Sequence, residues 1–250
     1  MKYKFFVINL DSKPDRLEDV SKQLHQYGIE FERFSAVMGS ELDQSTIEEF
    51  YDAKGNARKY YKEMSVGEIG CYLSHIQLWK RIIEENLDFA VILEDDLTVK
   101  PEIASLINAI ARLKNWDYIK LAGPKGKKVI DKQPIDNTFS LAYYNKTPIG
   151  TAAQAVSKQG AQRLLKTTQP FIRPVDSDIQ YYWERGIKLQ GLEPQIVSTG
   201  NFPSDIKAMA KGRGREKSSK HWARIKQRIS FAWNNKKANC NRPTLSHFIK

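Results

Sequence analysis

Short apolar runs alternate with amphipathic stretches along this chain, and the alternation lays out most of its elements. YKFFVINL (3–10) is an apolar and aromatic run closed by Asp-Ser-Lys-Pro, the pattern of a buried strand. From Arg16 to Tyr27 the apolar positions Leu17, Val20 and Leu24 share one helical face, and Gly28 supplies the stop. FERFSAV (31–37) reads as a second strand. Residues 41–63 are polar, rich in Glu, Lys and Tyr and without period, which predicts a mobile surface excursion. Ser65-Val66-Gly67-Glu68 has the form of a capping box, and Ile69, Leu73, Ile76, Trp79 and Ile83 recur behind it up to a stop at Asn86. FAVIL (89–93) is a fully apolar strand that runs straight into Glu94, Asp95 and Asp96. A helix over 102–113, strands over 116–123 and 139–145, a turn at Pro148-Ile149-Gly150 and a strand-like segment over 151–157 follow. Lys158–Lys166 reads as helix, Pro170 and Pro174 break it, Asp176–Arg185 is helical again up to Gly186, and 193–199 is a late strand. Strands and helices taking turns predict a layered, Rossmann-like α/β fold with a mostly parallel sheet flanked by helices.

Composition agrees with one large domain: 250 residues, 41% hydrophobic and 11% aromatic, exclude wholesale disorder. Charge divides the chain further. Residues 207–250 hold 13 Lys/Arg and one acid, so they carry +12 of the net +11, and residues 1–206 balance at −1. The expected organisation is a main domain over 1–206 and a basic C-terminal extension over 207–250. Within that extension, Trp222, Ile225, Ile229 and Trp233 recur at helical spacing among Arg224, Lys226 and Arg228. Such a helix suits peripheral contact with an anionic membrane; packing of the tryptophans onto the core and nucleic-acid binding are the alternatives. MKYKFFVINLD has too short an apolar stretch for a signal peptide, so the expectation is a cytoplasmic protein, peripheral on the inner membrane's cytoplasmic face. Cys71 and Cys240 form no CxxC pair, so no zinc or disulfide framework is expected, and Cys71 reads as a packed thiol.

The candidate chemistry lies where FAVIL ends. Parallel α/β sheets place ligands outside the carboxyl ends of their strands. In extended backbone Glu94 and Asp96 point to one side and Asp95 to the other. Paired carboxylates suit a hard divalent cation, Mn²⁺ or Mg²⁺, that shares its ligands with phosphates and offsets charge on a departing diphosphate. The alternative is a cluster capping the next helix.

Four stretches, VINLDSKPDR, GEIGCYLSHIQLW, FAVILEDDLTV and GTAAQAVSKQGAQRLL followed by PVDSDIQYYW, resemble glycosyltransferase family 25 in their order and spacing over most of residues 3–185. That family includes lipooligosaccharide and collagen galactosyltransferases. The resemblance implies a GT-A type fold, a UDP-sugar donor (usually UDP-galactose), inversion at the anomeric carbon, and here a lipooligosaccharide or lipopolysaccharide core acceptor. It places Asp96 on the metal, with Glu94 as a second ligand or, like Asp95, a contact to ribose or a metal-bound water. Asn9, Leu10, Asp11 and Arg16 would meet the nucleotide, and Glu68, Ser74 and His75 would face the donor. An inverting transfer needs a general base for the acceptor hydroxyl. Asp176 is the first choice and Asp178 the second, although either could simply cap a helix. No histidine lies between His75 and His221, so a further metal ligand would come from Asp205, His221 or water. Two other functions share these features. A nucleotidyl or phosphoryl transferase could use the same acids, but the chain has neither a P-loop nor a GxGxxG. A nucleic-acid-binding protein would rest on the basic tail alone, and no nucleic-acid partner is expected.

Overall fold

The computed structural model describes residues 1–60, 62–123, 128–199 and 219–250. The 206/207 boundary, Asp205 and the side chain of His221 lie outside the described residues. The element order is β1 (Tyr3–Asn9), α1 (Pro14–Gln26), β2 (Glu32–Ser35), α2 (Gln44–Phe50), α3 (Ala53–Lys59), α4 (Val66–Glu84), β3 (Phe89–Glu94), β4 (Leu97–Val99), α5 (Leu106–Ala111), β5 (Tyr118–Lys120), β6 (Val129–Pro134), β7 (Ser140–Tyr144), β8 (Ala153–Ser157), α6 (Lys158–Thr167), α7 (Val175–Ile179), α8 (Tyr182–Arg185), β9 (Leu189–Glu193), β10 (Val197–Thr199) and α9 (Ser219–Cys240).

Eight strands form one sheet in the order β2-β1-β3-β8-β5-β9-β7-β6, while β4 and β10 make a separate antiparallel pair. Six of the eight point the same way; β8 and β7 are reversed. The apolar strands are explained by burial on both faces. Phe5, Val7, Phe89, Val91 and Leu93 pack into one core with Val20 and Leu24 of α1 and Leu106 and Ile110 of α5. Their neighbours Phe6, Ala90 and Ile92 face the other core, filled by Ile69, Tyr72, Ile76 and Trp79 of α4 and by Leu164 of α6.

The helix signals are realised locally. Ser65 and Glu68 make both halves of the capping box, fixing the start of α4. Asn86 at φ 52° and Gly186 at φ 62° take the left-handed conformation that ends helices. The expected excursion over 41–63 is instead partly helical. The caps are Asp43, which accepts from the Thr46 N–H, and Asp52, which accepts from the Gly55 N–H. The Asn56 side chain ties α3 to the Ile172 carbonyl at 2.8 Å. Two seven-residue helices are too short to print a period, which is why the sequence pattern misses them. Strands β4, β6 and β9 were missed, β4 because it has only three residues and β6 because it is an exposed edge strand with no apolar run, while β10 is the part of the expected 193–199 strand that forms.

The described part of the basic extension, residues 219–250, packs against the rest of the protein. Leu245 and Phe248 are buried in the same core as β1, and α9 packs through Phe231 and Asn235. The side-chain amides of Asn235 and Asn239 both donate to the Asn145 carbonyl.

Candidate active site

A cleft of about 280 Å³ opens at the carboxyl ends of β1, β2 and β3, where α4 begins. Because β8 runs against its neighbours, its amino end, with Gly150 and Thr151, reaches the same edge. One wall is the first turns of α4, bearing Gly67, Glu68, Cys71, Ser74 and His75; the opposite rim carries Pro174, Val175 and Asp176 at the start of α7. Close approach of α4 to the 37–40 loop shapes that wall. A Cβ on Gly39 would overlap the Val66 carbonyl, and one on Gly70 would press on the Val37 carbonyl. Ser74 completes the dock, accepting from the Val37 N–H at 2.9 Å and donating to the Gly70 carbonyl.

Asp95 lines the cleft's inner edge with its carboxylate engaged, accepting from the Asn9 amide at 2.6 Å and pairing with Arg16 at 3.7 Å. Glu94 accepts from the Thr151 hydroxyl at 2.6 Å. Burial, reinforced by the charge of Asp96, pushes its carboxyl up to about 7. Asp176 is also pushed up by burial and accepts from the Ser177 N–H. Lys120, only 2% exposed, donates to the Gly150 carbonyl behind this rim. Burial lowers its amine to about 8, against the pull of Asp176 and Glu94. Repulsion from Asp96 adds to burial in raising Glu94, and a divalent cation beside the two would offset that repulsion. Glu94 and Asp96 are also oxygen donors of the kind that Mn²⁺ and Mg²⁺ prefer.

Of the residues singled out from sequence, Leu10, Arg16, Glu68, Ser74, His75, Glu94, Asp95, Asp96 and Asp176 line the cleft. Three do not. Asn9 is buried beneath, holding Asp95 and accepting from the Arg33 side chain. Asp11 lies out at the surface, where it binds Arg33 and accepts from the Ser35 hydroxyl. Asp178 is fully buried, and its oxygens accept from Arg173 (2.8 Å), Arg185 (2.9 Å) and Tyr72 (2.5 Å). A carboxylate so enclosed reaches no acceptor hydroxyl, so Asp178 is withdrawn as a base. Ser74 and Glu68 line the cleft, but their polar atoms are engaged in the loop dock, the helix cap and a 3.0 Å ion pair with Lys62.

Sequence reading passed over Lys120 and Thr151. The only signal for Lys120 was a charged residue inside the apolar strand YIKLA. Thr151 lay within the GTAAQAVS stretch but nothing in that stretch marked its hydroxyl, because its partner Glu94 is 57 residues away.

Comparison with known proteins places this geometry. The model of glycosyltransferase family 25 (LPS biosynthesis protein) matches residues 2–179. Procollagen galactosyltransferase 1-B of Xenopus laevis is 30% identical over 191 residues, covering 72% of this chain and 31% of its own length. Procollagen galactosyltransferase 2 of Mus musculus is 26% identical over 219 residues, 78% of this chain and 34% of its own. The chain thus spans about a third of the length of the curated relatives it matches. A solved Drosophila galactosyltransferase with manganese, UDP-Gal and xylobiose overlaps at a TM-score of 0.37 and 10% identity over 87% of this chain and 82% of that one, too loose a match to carry chemistry across. The matched stretch takes in every cleft residue named above, and the chain belongs to glycosyltransferase family 25.

Proposed function

We propose that this chain is an inverting glycosyltransferase that moves a hexose, galactose first among them, from a UDP-sugar to a saccharide hydroxyl on a lipooligosaccharide or lipopolysaccharide core. One observation carries the reading: Glu94, Asp96 and Asp176 converge on a single cleft at the carboxyl edge of the sheet. The naming of related chains as galactosyltransferases supports the sugar, and the family's description supports the acceptor.

Glu94 and Asp96 would hold a divalent cation, Mn²⁺ or Mg²⁺, that neutralises charge on the donor diphosphate. Arg16 and Leu10 line the nucleotide end. Across the cleft, Asp176 takes the proton of the acceptor hydroxyl as its oxygen attacks the anomeric carbon; the bond to the diphosphate breaks and UDP leaves. Lys120 tunes this base: its charge favours the ionised form of both Asp176 and Glu94. Removing that charge raises both carboxyls further, so Lys120→Met is expected to move the acid limb of the kcat/KM profile to higher pH. An unmoved limb in a folded variant excludes that role. The whole reading is tested with purified full-length protein, a panel of UDP-hexoses and Mn²⁺, following UDP release. Release with UDP-galactose above the other donors supports it; a folded protein that turns over no UDP-hexose on any saccharide acceptor refutes it.

The acceptor's lipid suggests a place of work at the inner membrane's cytoplasmic face, and α9 offers the means. Trp222, Ile229 and Trp233 are 74%, 66% and 65% exposed, which rules out core packing for the two tryptophans. They recur along one side of a helix that also carries Arg224, Lys226, Arg228, Lys236 and Lys237. No helix among the described residues is long and apolar enough to cross a bilayer. Sedimentation with anionic phospholipid vesicles is expected to retain the wild type and to weaken roughly tenfold or more, about 1.4 kcal/mol, in Trp222→Ala with Trp233→Ala. Equal retention of both proteins removes α9 as the contact.

A further inference from the structure

Cys71 and His75 are one turn apart on the face of α4 that lines the cleft, and Glu94 meets them from the end of β3. The sulfur, one ring nitrogen and one carboxylate oxygen lie within 4.8 Å of one another. A tetrahedral zinc with bonds of about 2.0–2.3 Å sets its ligand atoms roughly 3.3–3.8 Å apart, so these three side chains would close by about 1.5 Å at most to bind it. A second, independent feature points to a ligand. His75 is fully buried, its Nδ1 is 3.0 Å from the Gln154 amide, and its Nε2 has no hydrogen-bond partner among the described residues. A buried polar atom left alone costs about 1–3 kcal/mol, a cost that a ligand on this nitrogen would recover. The Cys71 thiol is free, and no step of the transfer above uses either side chain.

We propose that Cys71 Sγ, His75 Nε2 and Glu94 form a site for a thiophilic divalent cation of the zinc class, with its fourth position open to the cleft. Thiolate and imidazole select zinc over manganese or magnesium, so this donor set differs in kind from the all-oxygen pair of Glu94 and Asp96. Gln154 holds the ring by its other nitrogen, the usual support of a metal-bound histidine. With Nε2 on the ion, Nδ1 carries the proton and donates to the Gln154 amide oxygen, while the amide NH₂ turns to the Tyr118 hydroxyl that already contacts it. Binding releases the thiol proton to solvent. The absence of a CxxC motif concealed the site, because its third ligand is distant in sequence. The consequence for activity rests on the proposed transferase reading. Glu94 serves both ions, so zinc excludes the cation that holds the donor diphosphate and acts as an inhibitor.

The test loads full-length protein with Co²⁺, then Zn²⁺, with no sugar nucleotide present. Thiolate-to-cobalt charge-transfer absorption is expected in the wild type and in Cys240→Ser, which removes the chain's other cysteine. It is lost in Cys71→Ser and in His75→Gln, whose folding is checked by circular dichroism. Zn²⁺ affinity falls roughly tenfold or more in Cys71→Ser. Absorption that persists in a folded Cys71→Ser, or that vanishes in Cys240→Ser, overturns the proposal. In a separate arm, Zn²⁺ blocks UDP release by the wild type at concentrations that spare Cys71→Ser. Cobalt binding without turnover on any donor would sink the transferase reading and leave the metal site standing.

Discussion

Asp176→Asn is expected to lower kcat about 10²–10⁴-fold with the donor KM little changed, the usual worth of a general base. The substitution keeps the shape of the side chain and the oxygen that accepts from the Ser177 N–H at 2.6 Å, so the start of α7 has no reason to move. What disappears is the capacity to take a proton. Burial has raised that capacity above the ordinary carboxylate range, and the sign of the pH dependence follows. The base works when ionised, so wild-type activity falls as pH drops through a value higher than an exposed aspartate would show. In Asp176→Asn this limb flattens and the residual rate loses its dependence on that group. A variant that keeps full kcat, or keeps the limb unshifted, assigns the base elsewhere. Steady-state kinetics across pH, with the thermal melt as control, decides it.

Asp178→Ala, two residues on, is expected to act on stability. Its carboxylate is fully buried and neutralises two guanidinium groups, Arg173 at 2.8 Å and Arg185 at 2.9 Å, while holding the Tyr72 hydroxyl. Arg173 is itself only 2% exposed and Tyr72 is stacked on Phe171 at 4.1 Å, so neither moves out to water cheaply. Removing one partner of a buried pair leaves uncompensated charge and costs about 3–5 kcal/mol. In a domain of this size that is a Tm drop of roughly 10 °C. Asp178→Asn, which keeps acceptor capacity on one oxygen, should lose less. Denaturant unfolding of the three proteins measures the order directly; a loss below about 1 kcal/mol for Asp178→Ala would show that the cluster is not holding α7 in place. The contrast between neighbours is informative. Asp176 and Asp178 look equivalent in the PVDSD string, and only burial and partners tell them apart.

The same contrast runs through the site. Glu94-Asp95-Asp96 is legible as acids at a strand end; all three line the cleft, and Asp95 differs in having its carboxylate engaged by Asn9 and Arg16. The family resemblance implied that Ser74 and Glu68 face the donor, yet their atoms are spent on the dock against Val37 and on the helix cap. Lys120 was nearly invisible, because a single lysine in a short strand says nothing about which carboxylates will surround it.

Sequence alone determined the features set by neighbours in the chain. These are the doubly buried strands of the sheet's centre, the capping box that starts α4, the glycine and asparagine stops, the acids at the end of FAVIL and the apolar-basic pattern of α9. Each is a matter of a few residues and a fixed backbone period, so local order is enough to write it. Tertiary structure alone decided which way β7 and β8 run, which carboxylate is a brace and which lines the cleft, where Lys120 places its charge, and that Cys71, His75 and Glu94 meet. Those outcomes depend on contacts between segments tens of residues apart and on how much water the packed chain excludes from each charge. No local period encodes either quantity.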